Sequence, residues 1–313
     1  MRIGLRTILW LAVWAGCASS DLAAQQFARI FDQPERPWFQ RQVSNAPANG
    51  GVGDGLAEND GAAEDESGAD EEREEPLETD RDSFTPAVTT VDRGRVIYET
   101  SYSFIQNRST ANDHSFPEII TRIGVGKRLE LRLGWNYEIG GGGGVSNGDP
   151  GALPEERGST RESQMLYGLK YAFTEQQGWI PASATIIQAT TPTSGPSNFT
   201  DFDAAYVFGW KFYRKWQLTS SLRYIPTCDK GDHFNQWAPS VVLQIPLADR
   251  WAVHGEFFGI ATSHQTTNTN AQYFSPGMHY LITPNCEIGV RVGWGLTQDA
   301  ANFFSNVGIG LRF

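Results

Sequence analysis

The chain has 313 residues, a mean hydropathy of −0.38 and a formal net charge of −11. No run of about 18 apolar residues follows the N-terminus, which excludes transmembrane helices. The acidity is local: residues 54–82 hold fourteen Asp/Glu and two Arg, a net of −12, which leaves +1 for the rest.

In chain order, residues 1–24 read as an export signal. Arg2 and Arg6 precede a short apolar run, Ile8 to Ala15, and small residues then lead to a cleavage position after Ala24. Cys17 stands where a lipoprotein box would place it, although Trp14 replaces the usual aliphatic residue. Residues 25–92 are expected to be a periplasmic N-terminal segment. Within it, 25–42 fits a short amphipathic helix, and 45–83 is expected to be disordered because like charges repel and little apolar surface is available for burial. Beyond the signal only Cys228 and Cys286 remain. An exported pair invites a disulfide, but the strand order below puts them at opposite ends of a wall, too far apart to bond. Cys228 is expected on a loop.

From Arg93 charge falls, and alternating segments follow one another. Twelve are expected: 95–106, 116–126, 128–139, 162–174, 179–190, 201–213, 215–225, 234–246, 250–260, 271–282, 286–296 and 303–313. At about 3.3 Å per residue and a tilt near 40°, strands of this length cross roughly 25–30 Å, the height of a membrane's apolar band. One parity carries residues such as Leu129, Leu131, Leu133 and Trp135, and Ile288, Val290, Val292 and Trp294. The other carries Glu99, Glu118, Arg122, Glu130, Arg132, Glu138, Lys170, Asp201, Asp203, Lys211, Arg223, His254, Glu256, His279, Glu287, Arg291 and Arg312. No charge falls on the apolar parity, as expected where a mid-membrane Arg or Lys costs about 2–4 kcal/mol. Segment 179–190 is mild on both faces, and its orientation stays open.

Connections alternate between short links near 127, 175–178, 214, 247–249 and 283–285 and long ones at 107–115, 140–161, 191–200, 226–233, 261–270 and 297–302. The expected fold is therefore all-β, a single antiparallel transmembrane barrel over 93–313. Its short turns and both termini would be periplasmic and its long loops external. The lipid bilayer is its first partner. Trp179, Trp216 and Trp251 would form part of an aromatic girdle. The terminal run "FFSNVGIGLRF" puts Phe303, Val307, Ile309, Leu311 and Phe313 on one face. That strand must pair with the first to close the barrel, and Phe313 is the candidate assembly signal for the outer-membrane assembly machinery.

The stretches "RIGVGKRLELRLGWNY" (122–137) and "TTPTSG" (190–195), with the aromatic terminal strand, resemble the MetA-pathway family of phenol degradation. That resemblance implies a Gram-negative outer-membrane barrel that passes small, often aromatic or hydrophobic, molecules.

The inward charges admit two readings. Either they pair with one another and fill the interior, or they form a constriction that selects polar or amphipathic solutes. His254, Glu256, His279, Glu287 and Arg291 would share one lumen patch. A rim hydrolase built on Asp201, Asp203 and His233 is a weaker reading, because an Asp-x-His spacing is missing. A non-conducting barrel acting through loops 140–161 and 261–270 is the alternative from another class. Gly140–Gly144 lacks a following Lys-Ser/Thr and is no phosphate cradle. No cofactor, metal site, enzymatic activity or nucleic-acid partner is expected.

Overall fold

The computed structural model describes residues 77–81, 83–140, 160–196, 198–229, 232–265 and 267–313. The expected signal, the helix at 25–42, the disorder of 45–76, Cys17 and most of the loop at 140–161 lie outside these residues.

Twelve strands run β1 Val96–Gln106, β2 Asp113–Gly124, β3 Leu129–Gly140, β4 Thr160–Thr174, β5 Ala182–Ser194, β6 Asp201–Phe212, β7 Trp216–Asp229, β8 Asp232–Ala248, β9 Trp251–Ser263, β10 Asn270–Thr283, β11 Cys286–Gly295 and β12 Phe303–Arg312. Each pairs antiparallel with its chain neighbours, and β1 pairs with β12, so the barrel closes with no free edge. Main-chain bonds from Val96 N to Phe313 O (3.1 Å) and from Phe313 N to Val96 O (2.8 Å) extend the seam to the last residue.

The apolar parity faces outward: Leu133, Tyr167, Val290 and Trp294 are exposed, as a lipid-facing wall requires. Several strand boundaries differ from expectation, by up to four residues. β2 begins at Asp113 because its ladder continues past an irregularity between Ser115 and Glu118, where Pro117 can donate no bond. β7 and β8 extend as a paired hairpin, with Thr227 opposite Phe234 and Cys228 opposite His233, so the long loop expected at 226–233 is mostly strand and Cys228 lies on it. β5 begins at Ala182, after a small turn bridged by Gln177 and Ile180. Both Cys228 and Cys286 are free thiols, one near the end of β7 and one at the start of β11.

The described part of the acidic segment is ordered against the barrel, contrary to the expectation for 77–81 and 83. Leu77, Asp80 and Arg81 are buried, as are Phe84, Thr85, Val88 and Val91. Their partners stand on opposite sides of the ring: Glu99 on β1, Glu118 on β2, Glu130 on β3, Glu256 on β9 and Glu287 on β11. Contact with so many walls places the segment inside the lumen.

It is a re-entrant loop. Leu77 and Val91 meet Ile97 and Leu281 near the short-turn end, whereas Phe84 reaches Ile105, Phe304 and Ala300 toward the long loops. Its two limbs are tied by Ala87 N donating to Asp80 Oδ1 (3.0 Å) and Thr89 Oγ1 donating to Glu78 Oε2 (2.6 Å). Inward glycines make room for it. A Cβ at Gly310 would lie 2.4 Å from the Thr79 methyl group, nearer than any real contact.

Candidate functional site

The lumen divides into a charged half and an aromatic half, and the re-entrant segment joins them. On the charged side, β2, β3 and β4 project Arg122, Arg132 and Lys170 inward because polar residues occupy alternate positions on each strand. Arg122 grips Glu130 at two points, Nε to Oε1 at 2.9 Å and Nη2 to Oε2 at 3.0 Å, and reaches Glu99 Oε1 at 3.2 Å. It also donates to the carbonyl of Glu78 at 2.9 Å.

Asp80 enters this cluster from the segment. Its carboxylate meets Arg132, lies 3.4 Å from Arg122 and 3.6 Å from Lys170, while its own N–H donates to Glu99 Oε2 at 2.9 Å. Burial alone would push the Asp80 carboxyl up, but Arg122, Lys170 and Arg132 hold it well below the usual carboxylate range. Next to it, Arg81 forms an ion pair with Glu118 at 3.1 Å and donates to the Glu118 carbonyl. Glu118 also accepts from Ser101 and, at 3.3 Å, from Asn306.

On the other side the segment turns apolar. Phe84 lies parallel to Phe258 of β9, ring centroids 4.3 Å apart and planes 7° apart. Phe258 stacks in turn on Tyr273 of β10, and Phe304 of β12 closes the group. The Arg223 guanidinium sits 5.6 Å from the Phe84 ring centroid, within cation–π range. Glu256 caps the turn, accepting from Phe84 N at 2.8 Å and from Thr85 N and Oγ1 at 2.7 Å each. A smaller apolar contact joins Val88 to Ile186, Ala205 and Val207. That contact fixes the orientation of β5, with Ile186 and Gln188 facing the lumen and Ile187 exposed.

Glu99, Glu118, Arg122, Glu130, Arg132, Lys170, Asp203, Arg223, His254, Glu256, His279, Glu287 and Arg291 are buried. Lys211 departs from the rest: its side chain is half exposed and pairs with Glu78 at 3.1 Å. Of the expected lumen patch, His254 Nδ1 and His279 Nε2 lie 2.6 Å apart and Arg291 lies 3.4 Å from Glu256, while Glu287 accepts from Thr79 at 3.0 Å. Asp203 is engaged by Arg223 at 3.4 Å and Gln188 at 2.9 Å, while His233 contacts the Cys228 sulfur. Among the described residues, no cluster of three or more His, Cys, Asp or Glu is placed to hold a metal.

Asp80, Arg81, Phe84, Thr85 and Val88 were not singled out by sequence reasoning. For Phe84, Thr85 and Val88 a signal was present: "SFTPAVTTV" (83–91) is an uncharged stretch between the acidic run and the first strand.

The fold is shared with a solved outer-membrane channel. The COG4313 outer membrane channel from Pseudomonas putida F1 is 14% identical, aligned over 72% of this chain and 97% of its own, with a TM-score of 0.53. The NanC porin (10% identity, 69% and 98% covered, TM-score 0.48) and the translocator domain of the autotransporter NalP from Neisseria meningitidis (10%, 70% and 88%, TM-score 0.45) are more distant. No curated protein matches the chain by sequence. The family model described as "Putative MetA-pathway of phenol degradation" matches residues 79–313, from within the re-entrant segment to the last residue, and the chain belongs to that family.

Proposed function

We propose that this protein is an outer-membrane channel for passive uptake of small, aromatic or hydrophobic molecules in a Gram-negative cell, with both termini in the periplasm. Passage requires the re-entrant segment to shift. The observation that carries this reading is how the lumen is filled. Eight-stranded barrels fill their interior with wall side chains, and a barrel of twelve strands is wider. Here the extra space is taken by residues 77–81 and 83–92, held by hydrogen bonds, ion pairs and ring contacts. Such a filling can move without breaking the wall. The charges on the surrounding strands would then line the path as a constriction.

A second reading, a non-conducting barrel acting through its external loops, draws on the tightness of the packing. Two voids beside the segment, lined by described residues, measure about 40 and 50 Å³, room for a few waters each. Planar-bilayer recordings decide between them. The channel reading expects rare, brief openings from the wild type and more frequent ones from Asp80→Ala combined with Thr85→Ala. Silence from both proteins, with the barrel correctly inserted, rules the channel out.

A further inference from the structure

We infer that the pocket formed by Phe258, Tyr273, Phe304, Arg223 and Glu256 is a binding site for a single-ring aromatic solute carrying a nearby hydrogen-bond donor, and that Phe84 occupies it as an internal competitor. The inference deepens the channel reading and rests on it for its physiological meaning.

The geometry is that of a ligand in a site. The Phe84 ring is buried, with one face parallel to Phe258 and a guanidinium within cation–π range. A ring gains from both contacts through its quadrupole, which a saturated ring of equal size lacks. Beside the ring, the Glu256 carboxylate accepts the Phe84 N–H, three bonds from the ring carbon, at 2.8 Å. The hydroxyl of a small aromatic alcohol, close to its ring as this N–H is, would donate to the same carboxylate once the segment withdraws. The rest of the Phe84 surroundings support exchange. A void of about 50 Å³ adjoins Phe84, Pro86 and Arg223. The segment is also anchored independently through Asp80 and Arg81, so its tip can leave while its base stays docked.

A site shared by an attached competitor shows a weakened apparent affinity, because only the fraction of molecules with the tip withdrawn can bind. Removing the competitor should therefore strengthen solute binding. The test uses the full chain folded in detergent, with benzyl alcohol as probe and cyclohexylmethanol as the saturated control, titrated by saturation-transfer NMR. Phe84→Ala is expected to half-saturate with benzyl alcohol at about tenfold lower concentration than the wild type, with no comparable gain for cyclohexylmethanol. Adding Phe258→Leu, which keeps apolar volume but removes the stacking face, should abolish the gain. Phe84→Leu keeps an apolar tip but loses the ring contacts, so it competes more weakly and should show a smaller gain without the cavity that the alanine leaves. Equal benzyl alcohol binding by the wild type and both Phe84 variants overturns the proposal, as does an equal gain for cyclohexylmethanol. The titration needs no transport. Strong binding with no bilayer current would remove the channel reading alone, and current with no ring selectivity would remove this site alone.

Discussion

Arg122 of β2 and Glu130 of β3 form a two-point ion pair inside the barrel, at 2.9 and 3.0 Å, with both side chains buried. The pair is the centre of a larger cluster, because the same guanidinium also reaches Glu99 and Asp80. Arg122→Ala would leave three carboxylates facing one another around Arg132 and Lys170. Breaking a buried pair from one side costs about 3–5 kcal/mol. The expected outcome is a barrel that unfolds at lower urea concentration, with its segment 77–92 open to protease. Unchanged protection of the segment would show that the cluster does not hold it.

The Asp80 carboxyl gives docking a defined pH dependence. Burial opposes its charge, but Arg122, Lys170 and Arg132 outweigh burial and keep its folded pKa below the unfolded value. A depressed carboxylate contributes stability that is fully present above its unfolded pKa, near 3.9, and is lost as pH falls toward the folded one. The stability gap between the wild type and Asp80→Asn should therefore be constant from about pH 5 to 8 and shrink below about pH 4. Denaturant titration across that range measures it. A gap that widens on acidification would contradict the arrangement.

The outward face should resist charge in proportion to depth. Leu133, central in β3, is half exposed on the lipid side. Leu133→Arg is expected to destabilise the inserted barrel by about 2–4 kcal/mol, with a smaller effect for the same change at Leu129, near the strand end. Equilibrium unfolding from lipid vesicles checks both.

Phe313 closes the seam through its main chain while its ring is exposed. A terminal aromatic strand suits recognition by the assembly machinery through strand addition. Deleting Phe313 is expected to lower the amount of inserted barrel several-fold while leaving any folded barrel's conductance unchanged. Normal membrane levels of the shortened chain would argue against that role.

Strand number, strand faces and closure were legible in the residues because lipid imposes one rule along every crossing. Leu131, Tyr167, Val290 and Trp294 could not exchange parity with Glu130, Lys170 or Arg291 without putting charge into hydrocarbon. The same rule failed at β5. Ile186 faces inward, yet it is apolar, because Val88 of the inserted segment and not water lies against it. Phe258, Tyr273 and Phe304 escaped notice for the same reason, since an inward aromatic contradicts a wet lumen until Phe84 is placed beside it.

The sequence by itself therefore determined the wall: twelve membrane-length strands, their outward faces, and the set of charges turned inward. Only the tertiary structure decided what those charges do. Asp80 and Arg81 lie in the acidic run, where composition favours a solvated chain, and nothing local distinguishes them from the carboxylates before them. Their burial follows from pairing with Arg132 and Glu118, partners 52 and 37 residues away. Pairing of that kind depends on how the closed barrel brings distant strands around one axis, which no local pattern records.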